Sequence, residues 1–599
     1  MRHRLLTALL AGVLLPAGLA GCGIPHETQV QVDGAGPAGQ SGALSGSSDQ
    51  PPAPTASNDP KEFIRNYLSA AAGERDQAVN RVKQFIAPEG QSRLRDRQSS
   101  EIELFVVRLP EEPEATPPNN EGTSEVRVKV QQLGVLRADG SLAPPVASDT
   151  EYKFKLRRVG DSGWRITDPP KVLLLSDEAL YDYYAPHTIY FWNSDQSRLV
   201  PDQRYLPQAL PAERKVTEVI RWLAAGPPDW LSPGVIRLPD NTSLINNATG
   251  SDGRWEVNLN MPGAKDAQLA HLATQLAWSL PEQVTGQLDL KIQNQSRLVV
   301  DIGQEKSGRP PYPLDGNPER FCVYDGAIHP LSFPGEPRGT VPVDAASNRS
   351  IVTAALTRSG GRILAALVVT RSGRQQLLVG AGPSPVTVFK GGREFTSVSR
   401  PTWLRSTDPQ HPYGLTAVDG VLYRFDEVGN LTRVPLGVDG KVTAVAASVE
   451  GHRVALVVNG ALYVAAVSTD GGAPSLGQPR RLFTKLTNIT AVDWYAESRL
   501  VFAGSEPRGG TRDPRPAIYG SSVDGALEKP LEQDIGAQVT RLSAYPGPSG
   551  ALPAYSYMYE ANNGAYTPSG IIKPEQVLNL ASPTPGNKAP NPTAPFFLY

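Results

Sequence analysis

Cysteine is nearly absent: Cys22 and Cys322 are the only two in 599 residues. That excludes a disulfide framework and metal sites built on thiolates, so the chain must be held by its cores, which a chain of this length can supply. Net charge is also small. Lys and Arg number 58 against 60 Asp and Glu, giving −2, with the signs mixed along the chain. A nucleic-acid surface needs a basic stripe, and none is visible. Long apolar runs are missing as well. Beyond the first twenty residues none approaches the roughly 20 needed to span a bilayer as a helix.

What the sequence does have begins at its N-terminus. Arg2, His3 and Arg4 give a positive start, an apolar run covers 5–15, and Leu19-Ala20-Gly21-Cys22 follows. The last four residues resemble a bacterial lipobox, with small residues before the scissile bond and a cysteine after it. The resemblance implies that 1–21 is a lipoprotein signal peptide cut between Gly21 and Cys22. It also implies a diacylglyceryl thioether on Cys22, which places the chain on the extracytoplasmic face of the cell membrane. Two acyl chains, at about 0.8 kcal/mol per buried methylene, hold durably where one does not.

Residues 22–57 read as a disordered linker. No Lys or Arg occurs between Leu5 and Pro60, and 34–57 is nearly all Gly, Ala, Ser, Pro, Gln and Asp. Such a segment cannot bury enough apolar surface to offset its ordering entropy. As a coil it reaches roughly 30–35 Å, enough to lift a folded body off the membrane. Gly34-Ala35-Gly36-Pro37-Ala38-Gly39 fits a dinucleotide fingerprint, but no strand precedes it and no helix follows.

A first domain is expected over 58–177. Asp59-Pro60 signals a helix start, and Phe63, Ile64, Tyr67 and Leu68, then Val79, Val82, Phe85 and Ile86, recur at helical spacing. Ala87-Pro88-Glu89-Gly90 is expected to end the helical part. Alternating strands follow at 102–107, 126–130 and 152–156, and Gly163-Trp164-Arg165-Ile166 closes a hairpin. Helices followed by a curved sheet resemble nuclear-transport-factor-2-like domains. Gly160-Asp161-Ser162-Gly163 mimics a protease nucleophile loop. A serine nucleophile needs a histidine base, and the only mature-chain histidine before Ser162 is His26, in the linker. Ser162 therefore reads as a turn residue.

A second domain is expected over 178–308. Its pieces are "IYFWNSDQSRLVP", "VIRWLAAGPP" and "GVIRLPDNTSLINNATGSDGRWEVNLN", then a helix carrying Leu269, Leu272 and Leu276 and a strand over 287–292. They resemble the GerMN domain, the "L-x-x-G-P" helix end most of all. No enzymatic site comes with that resemblance. His187 and His271 read as structural.

From 313 to 599 the chain turns to short apolar strands between turns. "AALTRSGGRILAALVV", "AVAASVEGHRVALVV" and "AVDWYAESRLVFAG" repeat one pattern, with Arg362 and Arg453 two repeats apart. The period of about 45 residues is that of a four-stranded propeller blade. Five copies are countable, and a sixth forms if the strands at Phe321-Cys322-Val323-Tyr324 and Phe596-Phe597-Leu598 take part. Trp403 and Trp494 occupy comparable points and read as inter-blade packing, with sugar stacking as the alternative. Cys322 reads as a small apolar packing residue.

The fold class is thus multidomain, two small α+β domains followed by an all-β propeller of five or six blades. Lipobox, linker and domain order together resemble the LpqB family of actinobacterial lipoproteins. That resemblance implies a non-catalytic accessory protein, with no cofactor or metal, that binds the extracytoplasmic part of an MtrB-like sensor histidine kinase. It would modulate two-component signalling in wall homeostasis and division. The alternative is a wall-glycan or peptidoglycan-fragment binder, for which Tyr181, Tyr183, Tyr184, Phe191 and Trp192 offer stacking groups. The domains 58–177 and 178–308 are expected to stand as a soluble fragment without the propeller.

Overall fold

The computed structural model describes residues 51, 53 and 58–599, except 95–98, 148, 161–162, 252, 313–317, 337, 406–408, 508–512, 547–555 and 581–589. Asp59 accepts the Lys61 amide at 2.9 Å and Pro60 takes the first helical position, starting the helix Pro60–Ser69. That helix buries Phe63, Ile64, Tyr67 and Leu68. Ala78–Lys83 follows and buries Val79 and Val82. Pro88 does not merely end the helical part. It opens a separate short helix, Pro88–Gln91, because a first-turn position has no use for the N–H that proline lacks.

These helices pack against a mostly antiparallel sheet in the order Trp164–Asp168, Asp149–Arg158, Thr123–Leu136, Leu104–Arg108, Leu173–Ser176. The last pair runs parallel, and a bulge between Val106 and Val107 bends the sheet. Trp164 is fully buried and donates Nε1–H to the Asn58 carbonyl at 3.3 Å. The helix Asp177–Tyr183, capped by the Ser176 hydroxyl, puts Ala179 and Leu180 into this same core.

The second domain begins with the hairpin of Tyr184–Trp192 and Leu199–Pro207. Helix Ala212–Ala225 buries Val216, Val219, Ile220 and Leu223, and Gly226 at φ +93° ends it in a conformation that side chains rarely adopt. Arg254–Asn260 and Gln287–Ile292 pair in parallel, which demands a crossover, and the helix Asp266–Ser279 supplies it. Gln295–Asp301 adds an antiparallel edge beyond the last strand expected from the sequence.

Among the described residues the propeller has six blades. The innermost strands, in ring order, are Ile351–Ser359, Thr402–Leu404, Val442–Ala447, Thr487–Ala496, Val539–Ala544 and Thr593–Leu598. The first five open blades 1 to 5. Blade 6 is closed from both ends of the segment: Thr593–Leu598 pairs with Glu319–Tyr324, which pairs with Ala327–Pro330. Leu598 also meets Leu356 of blade 1, so one strand seals the ring. Apolar clusters fill the spaces between neighbouring blades.

The three domains interlock. Ala526 and Leu527, from the turn of blade 4, lie in the core of the first domain, and Ala466 of blade 3 lies in the core of the second. Gly234 approaches blade 3 so closely that a Cβ there would sit 2.7 Å from the Val467 carbonyl oxygen. Residues 58–308, expected to stand alone, thus share part of both cores with the propeller. A buried Leu contributes about 1.5–3 kcal/mol, and removing the propeller would take Leu527 out of the first core and open that part of it to water.

Candidate functional site

The densest polar chemistry lies along the seams between domains. Where the second domain meets the propeller, the hairpin strand Tyr184–Trp192 delivers Tyr190 and, just past its end, Asn193. Asn193 Oδ1 accepts the Ser197 and Arg198 amides at 3.0 Å each, which turns its Nδ2 toward His452 Nε2, 3.0 Å away. Both side chains are almost fully buried. Burial pushes the His452 pKa down to about 4, so the ring is neutral and accepts from Asn193. Beside it, Arg453 forks onto Glu450, with Nε 2.7 Å from Oε1 and Nη2 3.1 Å from Oε2. Arg453 Nη2 also donates to the Glu497 carbonyl at 2.7 Å, and the guanidinium lies 4.8 Å from the centre of the Trp494 ring. Burial acts to raise Glu450, but Arg453 and the Ser448 hydroxyl outweigh it and hold this carboxyl low. Burial raises Glu497, and the Arg453 charge with the hydroxyl donors of Tyr312 and Tyr190 opposes that without reversing it.

A second seam joins all three domains. Arg204, fully buried, bridges Asp202 of its own domain at 2.6 Å and Asp139 of the first at 2.9 Å, and caps the Gly226 carbonyl at 3.1 Å. Gln203 donates to Asp524 of blade 4 at 3.2 Å. Arg108 of the first domain pairs with Asp177 at 3.0 Å and with Glu528 of blade 4 at 2.8 Å. The Asp524 carboxylate also takes the Ser522 hydroxyl and the Ala526 amide, fixing the turn that carries Leu527 inward.

Two clefts flank these seams. One, about 650 Å³, lies between the first and second domains and includes Glu74, Asp139, Arg214, Glu218, Arg221 and Trp222. Two of its arginines are matched by glutamates, Arg214 by Glu74 and Arg221 by Glu218, each at 2.9 Å, and Arg75 is spent on the carbonyls of Ile102, Leu136 and Arg137. The other, about 420 Å³, is bounded by residues of all three domains, and its cations are Lys215 and Arg499. Among the described residues no group of His, Cys, Asp and Glu is arranged to hold a metal ion.

Gly21, Cys22, His26 and Ser162, singled out in the sequence, lie outside the described residues. His187 Nε2 lies 2.7 Å from the Ser279 carbonyl, where burial lowers its pKa, and the His271 carbonyl accepts from Trp192 Nε1 at 3.0 Å. Trp403 and Trp494 are inter-blade wedges. Each is buried and donates Nε1–H at 3.2 Å to the inner strand of the preceding blade, at Ala355 and Ala446. Cys322 is buried in blade 6, where burial pushes the thiol up to about 12. The aromatic set is dispersed: Phe191 and Tyr184 are core, Tyr183 and Trp192 half-buried, and Tyr181 exposed. Glu450, Glu497, Tyr312 and His452 were not anticipated. The repeated arginine was the one available signal: Arg362, Arg453 and Arg499 each open the second strand of a blade.

Three family descriptions match the chain in order: Lipoprotein LpqB, N-terminal domain, at 53–181; Sporulation and spore germination, at 188–296; and Lipoprotein LpqB beta-propeller domain, at 337–526. Lipoprotein LpqB of Mycolicibacterium smegmatis is 25% identical over 91% of this chain and 92% of its own length. That of Nocardia farcinica is 25% identical over 90% and 91%, and that of Thermobifida fusca 25% over 71% and 76%. Among solved structures, the tandem GerMN domains of GerM from Bacillus subtilis align at 18% identity and TM-score 0.17, over 20% of this chain and 45% of that one.

Proposed function

This chain belongs to the LpqB lipoprotein family, and on that premise we propose that it is a non-catalytic accessory protein anchored to the cell membrane by lipid on Cys22. Its partner is the extracytoplasmic part of an MtrB-like sensor histidine kinase, and its role is to modulate two-component signalling in wall homeostasis and division. Among the described residues no helix is long and apolar enough to cross a membrane, so in this reading the tether is the lipid.

The observation that carries the reading is where the charged residues are used. Asp139, Glu497, Asp524 and Glu528 each meet a partner from another domain. Truncating one partner of such a buried pair leaves an uncompensated charge and costs about 3–5 kcal/mol, so the seams hold the domains in one arrangement. A rigid body with its buried carboxylates committed to its own seams suits recognition more than chemistry.

Blades 3 and 4 take part in the seams, and among the other blades the outer parts of blades 1 and 2 present two exposed valines side by side. There Val388 is 65% exposed and Val428 is 38% exposed. The two segments adjoin, since a Cβ at Gly429 would come 2.9 Å from the Lys390 carbonyl oxygen. Paired exposed valines at a blade rim fit an apolar protein contact. Co-purification tests the reading: the lipidated chain, extracted from membranes under mild conditions, retains the kinase. Loss of that association in Cys22→Ala cells and its absence in wild-type cells are different results; the second removes the kinase as partner.

A second reading, wall-glycan binding, is favoured by Tyr181, an aromatic ring 72% exposed at the edge of the three-domain recess.

A further inference from the structure

We propose that the recess where the three domains meet is a binding site for an acidic saccharide, a sugar carrying a carboxylate. The inference rests on the glycan reading and gives it a place and a ligand chemistry. The recess, about 420 Å³, is walled by Tyr181 of the first domain, Pro186, Gln208 and Lys215 of the second, and Arg499 and Leu527 of blade 4. That is far more space than an inorganic anion fills, and it falls in the range of small-molecule sites.

Three features set the ligand class. Lys215 and Arg499 are half-buried cations that line one recess, and no ion pair with a carboxylate involves either among the described residues. Arg499 spends Nη1 on the Leu527 carbonyl at 3.2 Å, which orients the guanidinium and leaves its other donors. In the neighbouring 650 Å³ cleft Arg214 and Arg221 are matched by glutamates and Arg75 is spent on three backbone carbonyls, so cations with donors to spare distinguish this recess from that one. Against the cations stands a flat surface: the Tyr181 ring, with Pro186 exposed beside it in the recess wall. An aromatic face with a polar tip suits the apolar face of a sugar ring, and the Gln208 amide offers both donor and acceptor to hydroxyls. A carboxylate on that ring would meet Lys215 and Arg499 in charge-assisted hydrogen bonds, the strong class of such contacts.

The arrangement also gives the interlocking a use. Each domain brings one part of the wall, so the site exists only while Leu527 stays seated in the first core and Gln203 stays on Asp524.

The test is calorimetric titration of the soluble chain 23–599 with three probes: the N-acetylglucosamine–N-acetylmuramic acid disaccharide, neutral N,N′-diacetylchitobiose, and inorganic phosphate. The acidic disaccharide is expected to bind about tenfold or more tighter than the neutral one, and less tightly at high salt. Lys215→Gln and Tyr181→Ala, both at positions that leave the seams intact, should each weaken it about tenfold with an unchanged melting temperature. Equal binding of the two sugars, or tight binding that ignores both substitutions, overturns the site while leaving the glycan reading standing. Binding of phosphate alone overturns it in favour of a simple anion site. No binding of any probe removes the site and the glycan reading together, and leaves the kinase reading to its own test.

Discussion

Tyr190 of the second domain donates its hydroxyl to Glu497 of the propeller, 3.0 and 2.9 Å from the two carboxylate oxygens. Tyr190 is buried and Glu497 half-buried with its carboxyl turned into the seam, and Tyr312 adds a second donor at 2.9 Å. A carboxyl removed from water must be satisfied by what surrounds it, so this one contact makes the propeller depend on the hairpin that precedes it.

Tyr190→Phe should therefore lower stability by about 1–2 kcal/mol, the cost of leaving a buried acceptor short of one donor. Differential scanning calorimetry of 23–599 reads this as a lower melting temperature. A variant that melts with the wild type would mean the hydroxyl contributes nothing to the seam.

Acid should loosen the same seam through His452, which faces Asn193, Glu450, Asp195 and Arg198. In the folded chain its pKa is pushed down to about 4 from 6.5. Below 6.5 the unfolded chain takes up a proton that the folded one refuses. This contribution is whole above that pH and is lost as pH falls toward 4, by up to about 3 kcal/mol. Burial raises Glu497 and Asp202, whose contributions have the opposite sign and strengthen as pH falls through the carboxylate range. Comparing wild type with His452→Gln across pH 4 to 7 isolates the imidazole, and identical slopes would sink the assignment.

The repeat pattern made the blades readable because each strand carries its own apolar alternation. Trp403 and Trp494 stood out for the same reason, as large residues recurring in register. Closure was half-legible: the strands at 319–324 and 593–598 could be seen, but nothing local pairs segments some 270 residues apart. The seams were not legible. Ala526 and Leu527 look like any blade-turn residues, and only the assembled fold puts them in another domain's core. Arg453 was visible as a repeated arginine, yet Arg362 at the equivalent place pairs with Glu427 near the surface. Which arginine becomes a buried hub depends on where the second domain docks.

Ring closure is open to a direct test. Phe596 is 1% exposed and its ring stacks on that of Phe321 with centroids 5.7 Å apart. Phe596→Ala should cost about 3–5 kcal/mol, as large aromatic truncations in a core do. Deleting 593–599 should open blade 6 altogether. Urea titration followed by near-ultraviolet circular dichroism checks both; an unchanged midpoint for the deletion would contradict a closed six-blade ring.

Lipidation is expected at one atom, the Cys22 thiol. Cells fed a clickable fatty acid should label the wild-type chain and leave Cys22→Ala unlabelled and uncleaved. Label on the variant would move the anchor elsewhere.

The account's central claim is that this tethered body captures a kinase sensor domain through the outer parts of blades 1 and 2. The most direct measurement immobilises 23–599 by its N-terminus, as the tether would hold it, and titrates the extracytoplasmic domain of the kinase over wild type and a Val388→Asp, Val428→Asp double variant. The account predicts saturable binding to wild type, weakened about tenfold or more in the double variant as charge enters an apolar contact, with unchanged melting. Saturable binding that the two aspartates leave untouched would contradict the proposed surface, and no binding to the wild type would contradict the claim itself.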